Sequence, residues 1–228
     1  MIKGKQTKAA ILEAATDIAS KEGLGGLSIG TLAKKLGLSK SGLFAHFGSK
    51  DALLMAVTEA ASQRFVAVVI RPAFQEPAGR PRLERLFENW LNWSESREFP
   101  GGCPIMAATL ELDDRPGPLR DYLLSQQRKW LGTIGQAAEI AIDMGHLADS
   151  FDSEQFAFEF NAIGFGYHFS NRFLREPHAR HQARTAFQSL LVKRSNAGKP
   201  QAPDQSNIPC EKETERDDHR NACGPAPQ

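Results

Sequence analysis

Side chains that can bind an anion are concentrated between residues 27 and 50, in LSIGTLAKKLGLSKSGLFAHFGSK. Four lysines in this stretch supply positive charge, and its serines and threonine supply hydroxyl groups that can donate to an oxygen atom. Three of the serines also stand where helices should begin, and the free N–H groups at a helix start attract phosphate. The stretch is therefore predicted to contact phosphate groups.

Capping and stop residues divide this stretch into two short helices joined by a turn of about three residues. Ser28 is predicted to cap a helix that ends at Gly37, and Ser39 is predicted to cap a second helix through His46. The arrangement is a helix-turn-helix, whose second helix enters the major groove of DNA with its N-terminal residues toward the bases.

The start of that second helix carries Lys40, Ser41 and Gly42, which are therefore predicted to face base edges. Glycine in an exposed helix costs on the order of 1 kcal/mol relative to alanine, which favours a close approach of the backbone to another molecule. Lys50 follows Ser49 at the start of the next helix and is predicted to face a phosphate. The alternative is that these lysines only occupy a solvated face.

The charge of the chain is divided unevenly along its length. Nine Lys or Arg and five Asp or Glu give the segment through Arg64 a net charge of +4, although the whole chain carries only +1. We see neither a secretory leader nor an uninterrupted apolar run of roughly 18 residues, so a soluble cytoplasmic protein without membrane contact is expected. Cys103, Cys210 and Cys223 form no C-x-x-C pair and are expected to be free thiols.

The rest of the sequence shows helical spacing of apolar residues and no strand alternation, so the predicted fold class is all-α. A Pro-rich, polar C-terminal segment is predicted to be disordered. Helices are expected over approximately 7–22, 28–36, 39–46, 49–70, 82–96, 104–112, 118–144, 153–173 and 178–194. The expected domains are residues 1–50, residues 51–195 and a tail at 196–228.

The segment ILEAATDIASKEGLGGLSIGTLAKKLGLSKSGLFAHFGSKDALLMAV resembles the N-terminal DNA-binding domain of the TetR family of transcriptional regulators. The resemblance covers about residues 7 to 57 and includes the spacing S-K-x-x-L-aromatic-x-x-F-x-S-K. It implies an N-terminal helix-turn-helix domain, a larger helical domain for ligand binding and dimerisation, and double-stranded operator DNA as partner. The DNA-contacting residues that it implies are Ser28, Thr31, Lys40, Ser41, Gly42, Phe44, His46 and Lys50.

Two positions depart from the family pattern. Phe44 stands where the family has a tyrosine, and Ala45 replaces the aromatic residue or histidine beside it. Phenylalanine has no hydroxyl group to donate to a phosphate. The missing contact is expected from His46 or Ser41 instead.

The segment 153–173 carries two apolar stripes on nearly opposite sides of one helix. A helix of this kind needs two partners, so one stripe is expected in the subunit core and the other against a second copy, making a homodimer. The alternative is an internal helix between two layers of one subunit. Residues expected at the dimer interface are Phe156, Phe158, Phe160, Phe165, Phe169 and Phe187.

Large apolar side chains on the middle helices are candidates for a small-molecule effector site, with an ordinary core as the alternative. These candidates are Trp90, Trp93, Phe99, Cys103, Met106, Trp130 and Phe165. Glu111, in the acidic segment before Arg115, is either a polar ligand contact or part of a solvated loop.

No cofactor, metal or catalytic activity is expected. His168, His178 and His181 lack a third metal ligand that can be placed, and Cys103 lacks a base that would activate it. The predicted function is a homodimeric repressor released from its operator by a small apolar or aromatic effector. The alternatives are a constitutive or architectural DNA-binding protein and, less favoured, an all-α enzyme.

Overall fold

A computed structural model describes residues 2–96, 99–149 and 152–192, with side chains from residue 7 onward. The described residues confirm the all-α fold. The C-terminal tail that the sequence predicts to be disordered lies outside these residues. The helices are α1 (Ile2–Gly26), α2 (Ile29–Leu36), α3 (Lys40–Phe47), α4 (Lys50–Phe65), α5 (Arg80–Ser94), α6 (Pro104–Glu111), α7 (Pro118–Asp143), α8 (Ser153–His168) and α9 (Ala179–Val192).

Three serines cap the helices of the N-terminal region, as predicted. The Oγ atoms of Ser28, Ser39 and Ser49 each accept a backbone N–H three residues later, at 3.0 Å. Such a cap stabilises a helix by about 1 kcal/mol. Gly37 ends α2 in the left-handed conformation, with φ of 65°, so α2 and α3 form the predicted helix-turn-helix.

The first helix is longer than predicted and bends at Gly23, where φ is 74° and ψ is 174°. The sequence predicts a helix end at this glycine, but the chain resumes helical geometry as far as Gly26. The reason lies in a distant residue, because Glu111 accepts the backbone N–H groups of Leu24 and Gly25 at 2.7 Å each.

Helix α4 continues through a π-helical turn at Val66–Ile70 and a final turn at Arg71–Ala73. By length and composition, it is the one helix in the described part of the chain that could cross a membrane. Core helices of soluble proteins meet the same criterion, and the face of α4 that carries Leu53, Val57 and Phe65 is buried in the core.

Aromatic rings form the centre of the larger domain. Phe87 of α5 and Phe187 of α9 stack with their ring centres 4.2 Å apart, and Phe160 of α8 meets both rings edge-on. Trp90 reaches α8 because residue 164 is glycine: a Cβ there would lie 2.0 Å from the indole ring. These contacts fix α5, α8 and α9 as one packed layer.

The two stripes of α8 differ sharply in exposure, and this corrects part of the dimerisation prediction. Phe156 and Phe160 are 1% and 0% exposed, and Phe187 of α9 is 2% exposed, so all three belong to the subunit core. They cannot meet a partner without unpacking that core. Helix α8 continues through a π-helical turn at Phe169–Phe173. Phe158 of α8 and Phe169 of this turn are 66% and 52% exposed and form the outer stripe.

An ion-pair network joins α9 to α5. Arg184 donates two hydrogen bonds to Glu88 at 2.7 Å, and Arg180 contacts Glu88 at 3.1 Å and Glu95 at 2.7 Å. Hydrogen bonding from Arg184 is the main cause that lowers the pKa of Glu88. Tyr167 donates to Glu95, and burial followed by this carboxylate raises the pKa of the phenol.

Candidate functional site

The helix-turn-helix presents its predicted contact residues on an accessible surface. Ser28 and His46 are partly exposed. The exposed members of the predicted set are Thr31, Lys40, Ser41, Gly42, Phe44 and Lys50. The serine caps place the free starts of α2, α3 and α4 beside these side chains, so the arrangement can bind an extended polyanion.

The side chain of Lys40 lies against a neighbouring helix and does not extend freely into solvent. A Cβ built on Gly30 would lie 3.9 Å both from the Lys40 Nζ atom and from the Ser28 Oγ atom. The ammonium group of Lys40 therefore lies over the start of α2, beside the residues predicted to contact phosphates. A Cβ at Gly30 would be in ordinary van der Waals contact with the Lys40 side chain, so this position of the ammonium group does not depend on the glycine.

The four lysines of the stretch are not equivalent. Lys35 pairs with Asp17 at 2.5 Å, and Lys21 joins the same carboxylate at 3.3 Å. The hydrogen bond from Lys35 is the main cause that lowers the pKa of Asp17. Among the described residues, no carboxylate pairs with Lys40 or Lys50, so their charge is available to a ligand.

Gly42 also has a role within the fold. Its N–H donates to Ser39 Oγ at 3.0 Å, and a Cβ added at Gly42 would lie 3.0 Å from the same oxygen. A side chain here would crowd the cap of α3. The glycine therefore has a structural reason besides the close approach of DNA that the sequence suggests.

The larger domain contains a cavity of about 280 Å³ between α4, α5, α6, α7 and α8, which we call the central cavity. Its walls are largely apolar and aromatic. It is lined by Ser62, Phe65, Val66, Ile70, Trp90, Cys103, Ile105, Met106, Gln126, Gln127, Lys129, Trp130, Thr133, Asn161 and Phe165.

Five of the seven predicted effector residues line this cavity: Trp90, Cys103, Met106, Trp130 and Phe165. Trp93 and Phe99 do not line it, and their contact with an effector stays a prediction. Trp93 is 1% exposed and lies behind the wall, with its ring centre 5.5 Å from Phe65 and 4.5 Å from Phe99.

Two helices run from the central cavity to the DNA-facing region. Val66 and Ile70, in the π-helical turn that continues α4, line the cavity, and Lys50 starts the same helix. At about 1.5 Å per residue, Lys50 and Ile70 are roughly 30 Å apart along the helix. Turns of this π-helical kind occur frequently at functional sites.

Helix α6 makes the second connection. Ile105 and Met106 at its start line the cavity, and Glu111 at its end holds the backbone of α1 at Leu24 and Gly25. Glu111 is thus neither a cavity residue nor part of a free loop, the two possibilities that the sequence left open.

The loop before α6 packs directly on α1. The N–H of Gly101 donates to Ser20 Oγ at 3.1 Å, and a Cβ at Gly101 would lie 1.6 Å from the Ser20 carbonyl oxygen. Any larger residue would force the loop away from α1. The sequence showed only a Gly-Gly interruption here, because nothing local identifies the surface that the loop contacts.

Neither cysteine nor histidine chemistry is favoured by the surroundings of these residues. Burial raises the pKa of the Cys103 thiol, and burial followed by Arg172 lowers the pKa of His168. Both groups are thereby held in their neutral forms near neutral pH. Among the described residues, no cluster of three His, Cys, Asp or Glu could hold a metal ion.

These features define a helix-turn-helix DNA-binding protein with a larger helical domain behind it. Residues 11–57 match the family described as bacterial regulatory proteins, tetR family, and residues 79–187 match the tetracyclin repressor-like C-terminal domain. The chain belongs to the TetR family and is a DNA-binding transcriptional regulator, not an enzyme. No curated protein matches the chain.

Solved structures share this fold. A TetR transcriptional regulator from Chloroflexus aurantiacus J-10-FL is 23% identical with a TM-score of 0.72, over 84% of this chain and 96% of that one. AibR, solved with isovaleryl coenzyme A and operator DNA, is 19% identical with a TM-score of 0.65, over 80% and 96%. A regulator from Saccharomonospora viridis, solved with choline, is 20% identical with a TM-score of 0.67, over 82% and 96%.

Proposed function

We propose that this regulator is a homodimeric repressor that leaves its operator when a small apolar or aromatic effector fills the central cavity. The observation that carries the proposal is the position of that cavity. Its walls include parts of α4 and α6. Helix α4 begins at Lys50 on the DNA-facing surface, and α6 ends at Glu111, which holds the backbone of α1 just before α2. A ligand that displaces these walls must strain the placement of the helix-turn-helix.

The proposed contacts with DNA follow from charge and exposure. Ser41 and Gly42 at the start of α3 read base edges, whereas Ser28, Thr31 and Lys50 hold phosphates. Lys40 serves both surfaces, because it lies over the start of α2 and begins α3. His46 or Ser41 replaces the phosphate contact that Phe44 cannot make.

The outer stripe of α8 supports a symmetric dimer. Phe169 and Phe173 stack with their ring centres 5.3 Å apart, and they are 52% and 77% exposed. With Phe158, they form an apolar surface that a second copy would cover. A dimer also brings two helix-turn-helix units to the two halves of one operator.

We assign DNA reading to residues 1–50 and effector binding with dimerisation to residues 51–195, and we place the protein in the cytoplasm. AibR and the choline-bound regulator, which share the fold, were solved with small ligands, which supports an effector role for the cavity. A constitutive DNA-binding protein without effector would not need such a cavity.

The test is selection of bound DNA from a random pool with the full chain, followed by light scattering of the complex. We expect an enriched palindrome that binds two chains. Native mass spectrometry of the purified protein should then detect a bound small molecule that is lost when Trp130 is changed to Ala. An asymmetric site bound by one chain would contradict the dimer, and failure of every cavity ligand to weaken the complex would contradict the effector role.

A further inference from the structure

The charge at the central cavity is of one sign only. Lys129 is the one charged residue among the described residues that line it, and no described carboxylate does so. Lys129 is exposed, and no carboxylate in the described chain pairs with it. An apolar cavity with a single cation at its wall favours an apolar ligand that carries a negative charge.

We propose that the effector is a small carboxylate with an aromatic or aliphatic body, held by its charge at Lys129. This inference rests on the proposed function and names the chemical class of ligand for the same site. The body lies against Phe65, Trp90 and Trp130, and the carboxylate meets the ammonium group at the wall formed by α7.

Two uncharged polar side chains that line the same cavity, Asn161 and Thr133, bear on where an acceptor would bind. Asn161 Oδ1 accepts the indole N–H of Trp130 at 3.3 Å, and this leaves the amide group of Asn161 as a donor. The Thr133 hydroxyl donates to the Lys129 carbonyl oxygen at 2.8 Å, which fixes that side chain on the same helix. A ligand oxygen between Asn161 and Lys129 would receive a hydrogen bond and positive charge together, whereas the Thr133 hydroxyl has already given its one proton to the helix.

A cationic ligand fits this cavity less well, although aromatic rings can bind ammonium groups over their faces. Trp130 meets Phe65 at an angle of 87° between ring planes and Trp90 at 70°, with centres 5.1 and 5.3 Å apart. The rings thus pack edge to face against one another. Lys129 would also repel a cation at the wall of the cavity.

The volume limits the size of the ligand. A protein cavity of about 150 Å³ takes one benzene ring, so 280 Å³ holds roughly a dozen non-hydrogen atoms. A phenyl ring with a short carboxylate chain is of this size. Coenzyme A conjugates such as the one bound by AibR would have to extend outside the cavity.

The experiment is calorimetric titration of the full chain with three matched probes: 4-phenylbutanoate, 4-phenylbutanamide and 4-phenylbutylammonium. We expect the carboxylate to bind about 5–10-fold more tightly than the amide, and the ammonium compound to bind most weakly. The preference should disappear in Lys129→Met and remain in Lys129→Arg. Arg128→Met is the control, because it removes a neighbouring cation that does not line the cavity.

Equal binding of carboxylate and amide, or a preference that persists in Lys129→Met, would overturn the carboxylate assignment while leaving the cavity as an effector site. Tighter binding of the ammonium compound would overturn it in favour of a cationic ligand. Binding without any weakening of the operator complex would instead contradict the proposed function. If none of the three probes binds, both proposals fail for ligands of this size.

Discussion

The helix-turn-helix and the central cavity hold their functional residues in different ways. In the helix-turn-helix, the exposed side chains lie on helices that each begin at a capping serine. Each serine accepts the backbone N–H of the residue three positions later. The cavity is instead lined by side chains from five helices. These residues are spread along the sequence from Ser62 to Phe165. A local spacing can therefore identify the first site, whereas the second exists only when the whole domain is packed.

The same contrast separates two uses of charge. Near the DNA-facing surface, Lys40 and Lys50 have no carboxylate partner in the described chain, which leaves their charge for a ligand. In the larger domain, Arg180 and Arg184 bind Glu88 and hold α9 against α5. Charges recruit a partner in one region and join helices in the other.

The largest effect should come from placing a charge on one or the other stripe of α8. Phe160→Glu puts a carboxylate among Phe87, Trp90 and Phe187, and we expect it to unfold the larger domain, since an unpaired buried charge costs several kcal/mol. Phe158→Glu should leave a folded protein that no longer dimerises. Thermal melting detects the unfolding and light scattering detects the loss of the dimer. If both variants remained folded dimers, the assignment of Phe160 to the core and Phe158 to the dimer interface would be refuted.

The next effect should come from cutting the connection between α6 and α1. Glu111→Ala removes the acceptor of two backbone N–H groups, so we expect an effector such as 4-phenylbutanoate to bind normally but to weaken operator binding about tenfold less. Asp114→Ala is the matched control, because its exposed carboxylate lies in the following loop. A full response in Glu111→Ala would show that α4 carries the coupling without α6.

Features that depend on nearby residues can be predicted from the sequence, whereas contacts between distant segments cannot. The serine caps, the helix-turn-helix and the two-sided pattern of α8 follow from local spacing, because each depends on residues within a few turns. The sequence predicts a helix end at Gly23 and not a bend, because the carboxylate of Glu111 that holds the bend lies 87 residues away from Leu24. Periodicity likewise marked Trp90 and Trp93 as apolar but could not tell which one borders an empty volume.

A smaller effect is expected at the DNA-facing surface. Lys50→Ala should weaken binding to specific and random DNA alike, because a phosphate contact carries no sequence information. The slope of log affinity against log salt should become shallower by about 0.9, the value for one phosphate. Arg71→Ala, at the far end of the continued α4, should leave the slope unchanged. If Lys50→Ala weakened binding to specific DNA only, with no change in the salt slope, Lys50 would be assigned to base contacts instead.

The smallest effect concerns pH. The lowered pKa of Glu88 means that its ion pairs stabilise the fold at pH values above the ordinary carboxyl pKa of 4.5, and that this stability is lost as pH falls toward the folded pKa. Arg184→Met should reduce that loss, by less than about 1 kcal/mol because the pair is partly solvated. Urea unfolding at pH 6 and pH 4 measures this loss of stability in the wild type and in the variant, with Arg128→Met as control. If the free energy of unfolding fell equally with pH in the wild type and in Arg184→Met, the ion-pair network would add no stability.

The central claim is that the cavity and the helix-turn-helix report on one conformational equilibrium. The most direct measurement is a pair of titrations with a ligand recovered from the purified protein: operator affinity with and without the ligand, and ligand affinity with and without operator. Linkage requires the two factors to be equal, and we expect each to be about 5–150-fold, in the direction of mutual weakening. Affinities that do not depend on each other in either direction would contradict the account and leave a DNA-binding protein whose cavity has no regulatory role.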